Sequence, residues 1–406
     1  MSNCIIAQSG GPTTVINSSV VGLLNANKKL KTFKKVYGGL NGIEGILNKN
    51  IIDLSLTSEE EINNFRFTPS SGLGSCRYRL KDIDSSSEEY ETLIKILREY
   101  DITSFFYVGG NDSMDTIAKL SEYTKLNDIN ITFMGIPKTI DNDLKFTDHT
   151  PGFGSAAKFI GTTALETYLD SSVYINNGIF ILETMGRDTG WLAASACIAK
   201  LNNKPVADFI YLPEVAFDKD KFLKDVKQKF EEQNKVYIIV SEGIRDKDGN
   251  FISEFECVSQ DNFGHAQLGG VSNCLRMLIL EEGFTTRVKA LDLGILQRCA
   301  MHCASDTDLT EAYNVGEMAL KYASQGETGK MVNINREGDE PYEVSYSLVD
   351  AYKVANNVRY FPTKWINKEG NFVTDEAYSY FEPLIKDLPT LNFEGNLPKF
   401  KVFNLI

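Results

Sequence analysis

Two carboxylates, a hydroxyl and an ammonium group occur together in residues 137–143, whose sequence is PKTIDND. This segment directly follows the apolar run 131–136, which predicts a buried strand. Asp141 and Asp143 are two residues apart and point the same way in an extended chain, so that one could accept a proton while the other binds a cation. Lys138 adds the positive charge that phosphate chemistry needs. An Asx-rich turn without a catalytic role is the alternative interpretation.

Glycine-rich turns at two other places also suit phosphate groups. Residues 9–14 (SGGPTT) stand between a short predicted strand at 5–8 and a helix, and residues 109–116 (GGNDSMDT) follow a predicted strand at 102–108. A glycine turn between a strand and a helix N-terminus leaves backbone N–H groups free to hold phosphate. A third loop, 71–79, carries two arginines, whose forked guanidinium groups match phosphate oxygens. Plain tight turns and ordinary surface arginines are the alternatives.

Strands and helices alternate through the first part of the chain, which predicts a doubly wound, parallel sheet. The alternation resumes in residues 153–296, where we expect a second α/β unit rather than a continuation of the first sheet. Strand ends in this unit carry Arg187 and Glu242, which suit a phosphate and sugar hydroxyls respectively, although either could belong to a structural ion pair. Ligands bind at the carboxyl ends of strands in such sheets, so these loops should converge on one site.

Composition limits the classes of function. The chain has 406 residues, enough for two domains, and its formal net charge of −13 argues against general nucleic-acid binding, which needs a basic surface. No apolar run approaches the roughly 18 residues of a membrane span, and the N-terminus lacks the basic and apolar regions of a signal peptide. The seven cysteines have no paired spacing, which is typical of free thiols in a reducing compartment. We therefore expect a cytoplasmic protein without nucleic-acid or membrane partners.

Seven short motifs, in order along residues 1–335, resemble those of the phosphofructokinase family. They are Gly10 with Gly11, residues 73–77, 109–113, 139–143 and 185–187, Glu242, and Gln297 with Arg298. Each motif alone is weakly specific, whereas seven in the family's order are a strong signal. The resemblance implies the family's fold: two Rossmann-like α/β domains with mainly parallel sheets and an active site in the cleft between them.

The resemblance also implies an enzyme, a Mg²⁺-dependent phosphotransferase acting on the 1-hydroxyl of fructose 6-phosphate. By carry-over, Asp141 takes the proton of that hydroxyl, while Thr139 and Arg77 hold the transferring phosphoryl group. The implied diphosphate-binding residues are Gly11, Arg77, Gly110, Asp112 and Ser113. The implied sugar-phosphate residues are Thr139, Asp141, Met185, Gly186, Arg187, Glu242, Arg287 and Arg298. The implied metal site is formed by Asn111, which replaces the family's usual aspartate, and Asp143.

Two positions bear on the phosphoryl donor. ATP-using members usually read GGDGS in the glycine loop, and the GGNDS of this chain places Asp112 where the α-phosphate of a nucleotide would pass. Bacterial ATP users also usually have glycine before Thr139, where this chain has Lys138, a catalytic residue suited to stabilising a pyrophosphate leaving group. Together these residues resemble the pyrophosphate-dependent branch. The alternatives are an ATP-dependent 6-phosphofructokinase and a non-catalytic sugar-phosphate sensor, although a sensor has little use for a base such as Asp141.

The family's fold interleaves its halves, which implies that the segment after Gln297 returns to the first domain. We expect a phosphoryl-donor domain of residues 1–152 plus about 297–350. The sugar-phosphate domain should consist of residues 153–296 plus about 351–406.

The resemblance further implies a homodimer or homotetramer in which a second subunit contributes to the sugar site. The family's cross-subunit arginine near Gly178 is missing here, whereas Arg287 matches a second arginine of that kind. Regulated bacterial members bind effectors through arginines whose positions correspond to Val21, Asn25 and Tyr168. Because three cations are absent, we expect no allosteric control by nucleotides or phosphoenolpyruvate.

Overall fold

A computed structural model describes residues 1–85, 87–175, 178–255 and 270–403. Its helices are α1 (Ile16–Leu30), α2 (Gly42–Leu47), α3 (Glu59–Arg66), α4 (Ser87–Glu99), α5 (Asn111–Leu126), α6 (Phe153–Ser171), α7 (Trp191–Ser195), α8 (Lys219–Gln233), α9 (Val271–Glu282), α10 (Asp306–Ser324), α11 (Ala351–Val354) and α12 (Asp375–Phe381). Its strands are β1 (Asn3–Gln8), β2 (Val36–Gly39), β3 (Ile51–Asp53), β4 (Ile102–Gly109), β5 (Thr132–Pro137), β6 (Gly178–Thr184), β7 (Lys200–Leu201), β8 (Lys204–Pro205), β9 (Phe209–Tyr211), β10 (Lys235–Ser241), β11 (Val288–Asp292), β12 (Lys330–Asp339), β13 (Tyr342–Asp350), β14 (Phe393–Glu394) and β15 (Leu397–Pro398). Within these ranges no helix is both long and apolar enough to cross a membrane.

The larger sheet has seven strands in the order β13-β12-β5-β4-β1-β2-β3. Its central strands are parallel, and β13 and β3 add antiparallel edges. Helices α1 and α10 cover one face and α4 and α5 the other, which explains why the central strands are almost continuously apolar. Gly109 pairs with Pro137, so the loops that follow β4 and β5 begin side by side.

Helices α10 and α1 pack in close contact through two glycines, one on each helix. Each glycine faces the backbone of the other helix. A Cβ at Gly22 would lie 1.9 Å from the carbonyl oxygen of Tyr313, and one at Gly316 would lie 1.9 Å from that of Ser19. No larger side chain fits such a contact. The segment after Gln297 thus returns to the larger sheet, with α10 on its face and β12 and β13 at its edge.

The smaller sheet has four parallel strands in the order β11-β6-β10-β9. Helices α8 and α9 pack on one face, and α6, α7 and α12 pack on the other. Thr184 pairs with Ser241, so the loops after β6 and β10 also leave the sheet next to each other. Two mainly parallel sheets with helices on both faces are the α/β architecture that the alternation predicts.

Three predicted elements differ from the observed ones. A strand expected over 288–296 ends at Asp292, because Gly294, with φ of +48°, starts a 3₁₀ helix that runs to Arg298. A helix expected over 191–200 stops after Ser195 and continues as a 3₁₀ turn. The sequence predicts only a short strand over 330–335, whereas the chain forms the longer antiparallel β12–β13 hairpin. The expected start of α9 at Leu268 lies outside the described residues.

The C-terminal part contacts both sheets. Helix α12 packs with the smaller sheet, whereas α11 packs in the core beside α5. Farther along, Lys401 pairs with Glu61 at 2.6 Å, and the rings of Phe403 and Phe65 are 5.0 Å apart. The division into domains stays a proposal, and we propose to group α11 and residues 399–403 with the donor domain rather than with the sugar-phosphate domain.

Candidate active site

A cavity of about 700 Å³ lies between the loops that follow β1, β4 and β5 and the loops that follow β6 and β10. Of the residues assigned to the site from the sequence, the wall contains Gly11, Arg77, Gly110, Asn111, Asp112, Ser113, Lys138, Thr139, Asp141, Asp143, Met185, Arg187, Glu242 and Arg298. Gly186 lies directly behind the wall, and Arg287 lies elsewhere. The strand ends of the two sheets thus bring together nearly all of the predicted groups.

Lys138 is buried at the end of β5 and reaches under the first glycine turn. Its Nζ donates hydrogen bonds to the carbonyl oxygens of Ser9 at 2.8 Å and Gly11 at 2.6 Å. Burial lowers its pKa to about 8, and the nearby carboxylate of Asp141 opposes this shift. An ammonium group has three donors, so one N–H remains for an anionic ligand in the cavity.

Asp141 is half-buried and is oriented by its neighbours in the same loop. Thr139 Oγ1 donates to Asp141 Oδ2 at 3.4 Å and accepts from the Asp141 N–H at 3.1 Å. Burial raises the pKa of Asp141, while the charges of Arg187 and Lys138 oppose the rise. A carboxylate with a raised pKa is a stronger proton acceptor, which suits general-base chemistry at neutral pH.

Asp143 and Asn111 form the part of the wall that fits a cation. Asn111 Nδ2 donates to Asp143 Oδ2 at 3.3 Å, and Asn111 Oδ1 is buried without a hydrogen-bond partner in the part of the chain that the structure describes. Burial and the charge of Asp141 raise the pKa of Asp143 to about 7. An unpaired oxygen beside a carboxylate matches the hard-oxygen preference of Mg²⁺, which usually takes its other ligands from water and substrate phosphates. The described residues hold no cluster of three or more His, Cys, Asp or Glu side chains that could hold a metal ion.

The N-terminus of α5 opens into the cavity beside this pair. Gly110 is the N-cap, and a Cβ at Gly109 would lie 1.8 Å from Ser113 Oγ, so the turn requires glycine there. The Asp112 side chain is exposed in the first helical turn, where a carboxylate interacts favourably with the helix dipole. Asp112 therefore occupies a position at which a longer phosphate chain would otherwise approach the free N–H groups.

Glu242 is fixed on the opposite side of the cavity. Its Oε1 accepts the Gly186 N–H at 3.1 Å, and Ser241 Oγ donates to the Gly186 carbonyl at 2.6 Å. Gly186 has φ of +128°, and a Cβ there would lie 2.6 Å from the carbonyl oxygen of Thr189, so glycine is required. Burial raises the pKa of Glu242 to about 7. A fixed carboxyl group at this place is suited to hydroxyl groups of a polar ligand.

Two arginines meet at the first glycine turn. Arg298, at the end of the 3₁₀ helix, has its Nη1 3.4 Å from the position that a Cβ at Gly11 would occupy. Burial and the charge of Arg77 lower the pKa of Arg298. Two cations in the same part of the cavity wall create a positive field that attracts phosphate groups.

Asp188 and Arg245 were not assigned to the site from the sequence. Asp188 lies in the cavity wall, accepts a hydrogen bond from Arg187 Nε at 2.9 Å and pairs with Arg245 Nη2 at 2.8 Å. Arg245 also lies over the ring of Phe251, 4.1 Å from its centroid. The only sequence signal for Asp188 is that it follows Arg187.

Asn356 and Val358 also line the cavity, and no sequence signal identified them. They follow α11 in a part of the chain without regular periodicity. Val358 forms an antiparallel bridge with Leu144, and the Arg359 N–H donates to the carbonyl oxygen of Asp143 at 2.8 Å. The C-terminal segment therefore completes the wall behind residues 143–144.

Arg287 lies at the amino end of the smaller sheet, whereas the cavity is at the carboxyl end. Its carbonyl oxygen accepts the Ile179 N–H at 2.8 Å, and its guanidinium lies over the ring of Tyr174. The five residues of β11 that separate the two ends span about 16 Å. Arg287 therefore does not join the site of its own chain, and its contribution to a neighbouring subunit's site stays a prediction.

Comparisons with known proteins agree with this geometry. A family model described as Phosphofructokinase matches residues 3–321, and the chain belongs to the phosphofructokinase family. Two proteins named pyrophosphate--fructose 6-phosphate 1-phosphotransferase, from Halomonas elongata and Xanthomonas campestris pv. campestris, are each 40% identical to it, covering 98% of this chain and 95% of their own. The crystal structure of a pyrophosphate-dependent phosphofructokinase from Nitrosospira multiformis has a TM-score of 0.87 at 35% identity, covering 98% of this chain and 95% of that one. The predicted family and fold are thereby confirmed.

Proposed function

We propose that this enzyme reversibly transfers a phosphoryl group from pyrophosphate to the 1-hydroxyl of fructose 6-phosphate, giving fructose 1,6-bisphosphate and phosphate, a step of glycolysis and gluconeogenesis. The observation that carries the proposal is the convergence of Lys138 and Asp141 with Arg187 and Glu242 around one cavity. The two relatives at 40% identity are named for this activity, which supports the proposal.

Asp141 is proposed as the general base. Its carboxylate takes the proton of the sugar 1-hydroxyl as the oxygen attacks the terminal phosphorus of pyrophosphate, and the bond from that phosphorus to the bridging oxygen breaks. Arg77 and the Thr139 hydroxyl stabilise the charge on the transferring group. The remaining N–H of Lys138 stabilises the phosphate that leaves.

Asn111 and Asp143 are proposed to hold Mg²⁺ together with phosphate oxygens of the substrate. When bound, the ion neutralises negative charge on the phosphates and so lowers the repulsion against an attacking oxygen. The orphaned Asn111 Oδ1 supports this assignment.

The sugar phosphate is proposed to bind on the side of the smaller sheet. Arg187 on this side, together with Arg298 beside the first glycine turn, supplies positive charge for the sugar phosphate, and Glu242 accepts hydrogen bonds from sugar hydroxyls. Met185 and Gly186 shape this part of the wall, Met185 through its N–H bond to Gln297 Oε1 at 3.2 Å.

The donor is assigned to pyrophosphate rather than ATP because Asp112 stands at the N-terminus of α5. A nucleotide would bring a third phosphate and its charge toward that carboxylate, whereas pyrophosphate has only two phosphates. The test is an assay with purified protein, Mg²⁺ and fructose 6-phosphate, in which bisphosphate formation with pyrophosphate is compared with that from equal ATP. A rate with ATP at least equal to that with pyrophosphate would favour the ATP-dependent alternative, and no rate with either donor would favour a sensor.

Reversibility is a second consequence of the donor. A phosphoanhydride is exchanged for a phosphate ester without a nucleotide to make the step strongly downhill. Fructose 1,6-bisphosphate and phosphate should therefore yield measurable pyrophosphate under the same conditions.

We propose a cytoplasmic homodimer or homotetramer in which Arg287 of one subunit completes the sugar-phosphate site of another. Sedimentation of the wild-type protein and of Arg287→Ala, together with the Michaelis constant for fructose 6-phosphate, would test this.

A further inference from the structure

The C-terminal segment 355–381 lies beyond residues 3–321, the part matched by the family model, and yet contacts the loop 139–143. That loop carries the proposed base. The contacts fall on Asn142, between the two aspartates, and on the backbone of Asp143.

Asn142 is fully buried and holds an unusual backbone conformation. Its φ is +54°, which among residues with a side chain is best tolerated by asparagine and aspartate. Its Oδ1 accepts the Thr150 N–H at 3.0 Å, and its Nδ2 donates to the Tyr380 hydroxyl at 3.1 Å. The side chain thus fixes the turn that sends Asp141 and Asp143 into the cavity.

Tyr380, on α12, connects this turn to Asp148, which lies farther along the chain after β5. Its hydroxyl donates to the carbonyl oxygen of Asp148 at 2.7 Å while accepting from Asn142. Its ring packs against Trp191 and Trp365, with centroids 5.3 Å away in each case. The hydroxyl is therefore presented by a rigid aromatic cluster.

Arg359 supports the other side of the loop. Its N–H donates to the Asp143 carbonyl oxygen at 2.8 Å, its Nη2 donates to the Tyr380 hydroxyl at 3.4 Å, and its guanidinium lies 4.4 Å from the centroid of the Trp191 ring. The same C-terminal segment therefore holds the loop at two successive residues.

We propose that Tyr380 is a positioning residue for the reaction: through Asn142 it sets the directions of Asp141 and Asp143. This inference rests on the proposed role of Asp141 as the base. Phenylalanine at 380 would keep the ring and leave the buried Asn142 amide without its acceptor, so that the loop would sample other geometries. Small displacements of a catalytic group slow chemistry strongly without a matching loss of ground-state binding.

The first test compares Tyr380→Phe with Tyr237→Phe, a matched control. Tyr237 is also buried in the core of the smaller sheet, its hydroxyl lies 2.6 Å from Thr167 Oγ1, and its ring stacks on Phe180. We expect Tyr380→Phe to lower kcat roughly tenfold, with KM for fructose 6-phosphate within about twofold of wild type, and Tyr237→Phe to leave both unchanged. An unchanged kcat in Tyr380→Phe, or an equal loss in the control, would overturn the proposal.

A double-mutant cycle tests whether Tyr380 acts through Asn142. Glycine at 142 tolerates the positive φ and removes both side-chain hydrogen bonds. In the Asn142→Gly background, Tyr380→Phe should cause no further loss of kcat, since the coupling has already been removed. If the double variant instead loses kcat by the product of the two single-variant factors, Tyr380 does not act through Asn142.

Hydrogen exchange supplies a readout that does not depend on activity. Amides in peptides covering residues 139–152 should exchange faster in Tyr380→Phe than in wild type or Tyr237→Phe. Unchanged exchange there would reject the positioning role. A wild-type protein without pyrophosphate-dependent turnover would instead reject the proposed function, and the exchange comparison would still decide the role of Tyr380.

Discussion

At the scale of single residues, burial sets the proton affinities of the cavity. Burial raises the pKa of Asp143 and Glu242 to about 7 each and lowers that of Lys138 to about 8. Asp141 shifts upward for the same reason. These shifts bring the acids and the amine toward neutrality, where proton transfer is most effective.

Replacing Asp141 by asparagine should lower turnover by about 10²–10⁴-fold, because the proposed general base is lost while the shape of the wall is kept. Binding of fructose 6-phosphate should change little, since the other sugar contacts remain. Steady-state kinetics and equilibrium binding of the sugar phosphate measure the two effects. A variant with near-wild-type kcat would remove Asp141 from the mechanism.

Replacing Asp112 by glycine should increase ATP use relative to pyrophosphate, since both a side chain and a negative charge leave the N-terminus of α5. The gain should be partial because Lys138 still favours the smaller donor. The ratio of kcat/KM for the two donors measures it, and Asp115→Asn, which removes a charge from the same helix outside the cavity wall, is the control. No change in this ratio would show that Asp112 does not select the donor.

Much of the residue-scale site could be predicted because its members lie in short motifs directly after strands. Asp141 and Glu242 are examples, and the cavity contains both. Asn356 and Val358 could not be predicted in the same way, because their place depends on packing between segments distant in sequence, and Asp188 had no signal other than following Arg187. Arg287 is the opposite case. It matches a family arginine of the sugar site, yet it does not lie in the cavity of its own chain.

At the scale of elements, the alternation of strand and helix predicted most of the two sheets, because buried parallel strands are continuous apolar runs. The β12–β13 hairpin was harder to predict, since its exposed parts are polar and its pairing at the sheet edge is set by the register with β5. The strand β11 was predicted too long because the apolar Ile295 and Leu296 continue its pattern, whereas Gly294 turns the backbone and leaves both side chains exposed.

His149, in the segment after β5, contacts Glu311 on α10, and the stability that this contact gives should depend on pH. His149 Nε2 lies 2.5 Å from Glu311 Oε2, and its Nδ1 lies 2.9 Å from Asp148 Oδ1. Burial opposes the charged ring, but the two carboxylates outweigh it and raise the pKa from 6.5 to about 9. A raised pKa means that the stabilisation is fully present below pH 6.5 and is lost as the pH rises through 9.

Replacing His149 by glutamine should therefore lower the midpoint of thermal unfolding at pH 6.5 and flatten its decline toward pH 9.5. The control is His302→Gln, because His302 is exposed and lies outside the cluster. Thermal melts of the three proteins at several pH values measure this. A wild-type decline that persists unchanged in His149→Gln would assign the pH dependence to other groups.

At the scale of the whole molecule, the chain passes from the larger sheet to the smaller one and back, and the C-terminal part then contacts both. The cavity is lined by loops from both sheets and by residues of the C-terminal part. Substrate binding at such a junction is the expected setting for relative movement of the two halves.

Allosteric control by phosphate-bearing effectors should be absent. Val21 lies in the core of the larger sheet, and the Tyr168 hydroxyl accepts a hydrogen bond from Lys235 at 2.5 Å, so neither offers the cation that a phosphate effector needs. Initial rates at sub-saturating fructose 6-phosphate should stay hyperbolic and respond little to millimolar ADP or phosphoenolpyruvate. Sigmoidal rates, or a several-fold response that is not competition at the active site, would contradict this.

The return of α10 and β12 to the larger sheet has a consequence for biosynthesis. At the roughly 5–20 residues per second of translation, β12 emerges about 10–40 s after β5, and until then the β5 edge and the glycine face of α1 lack their partners. The half of the enzyme that is translated first thus waits for its last strands until all four strands of the smaller sheet have been made. During that time a nascent chain must keep an open sheet edge from associating with other chains.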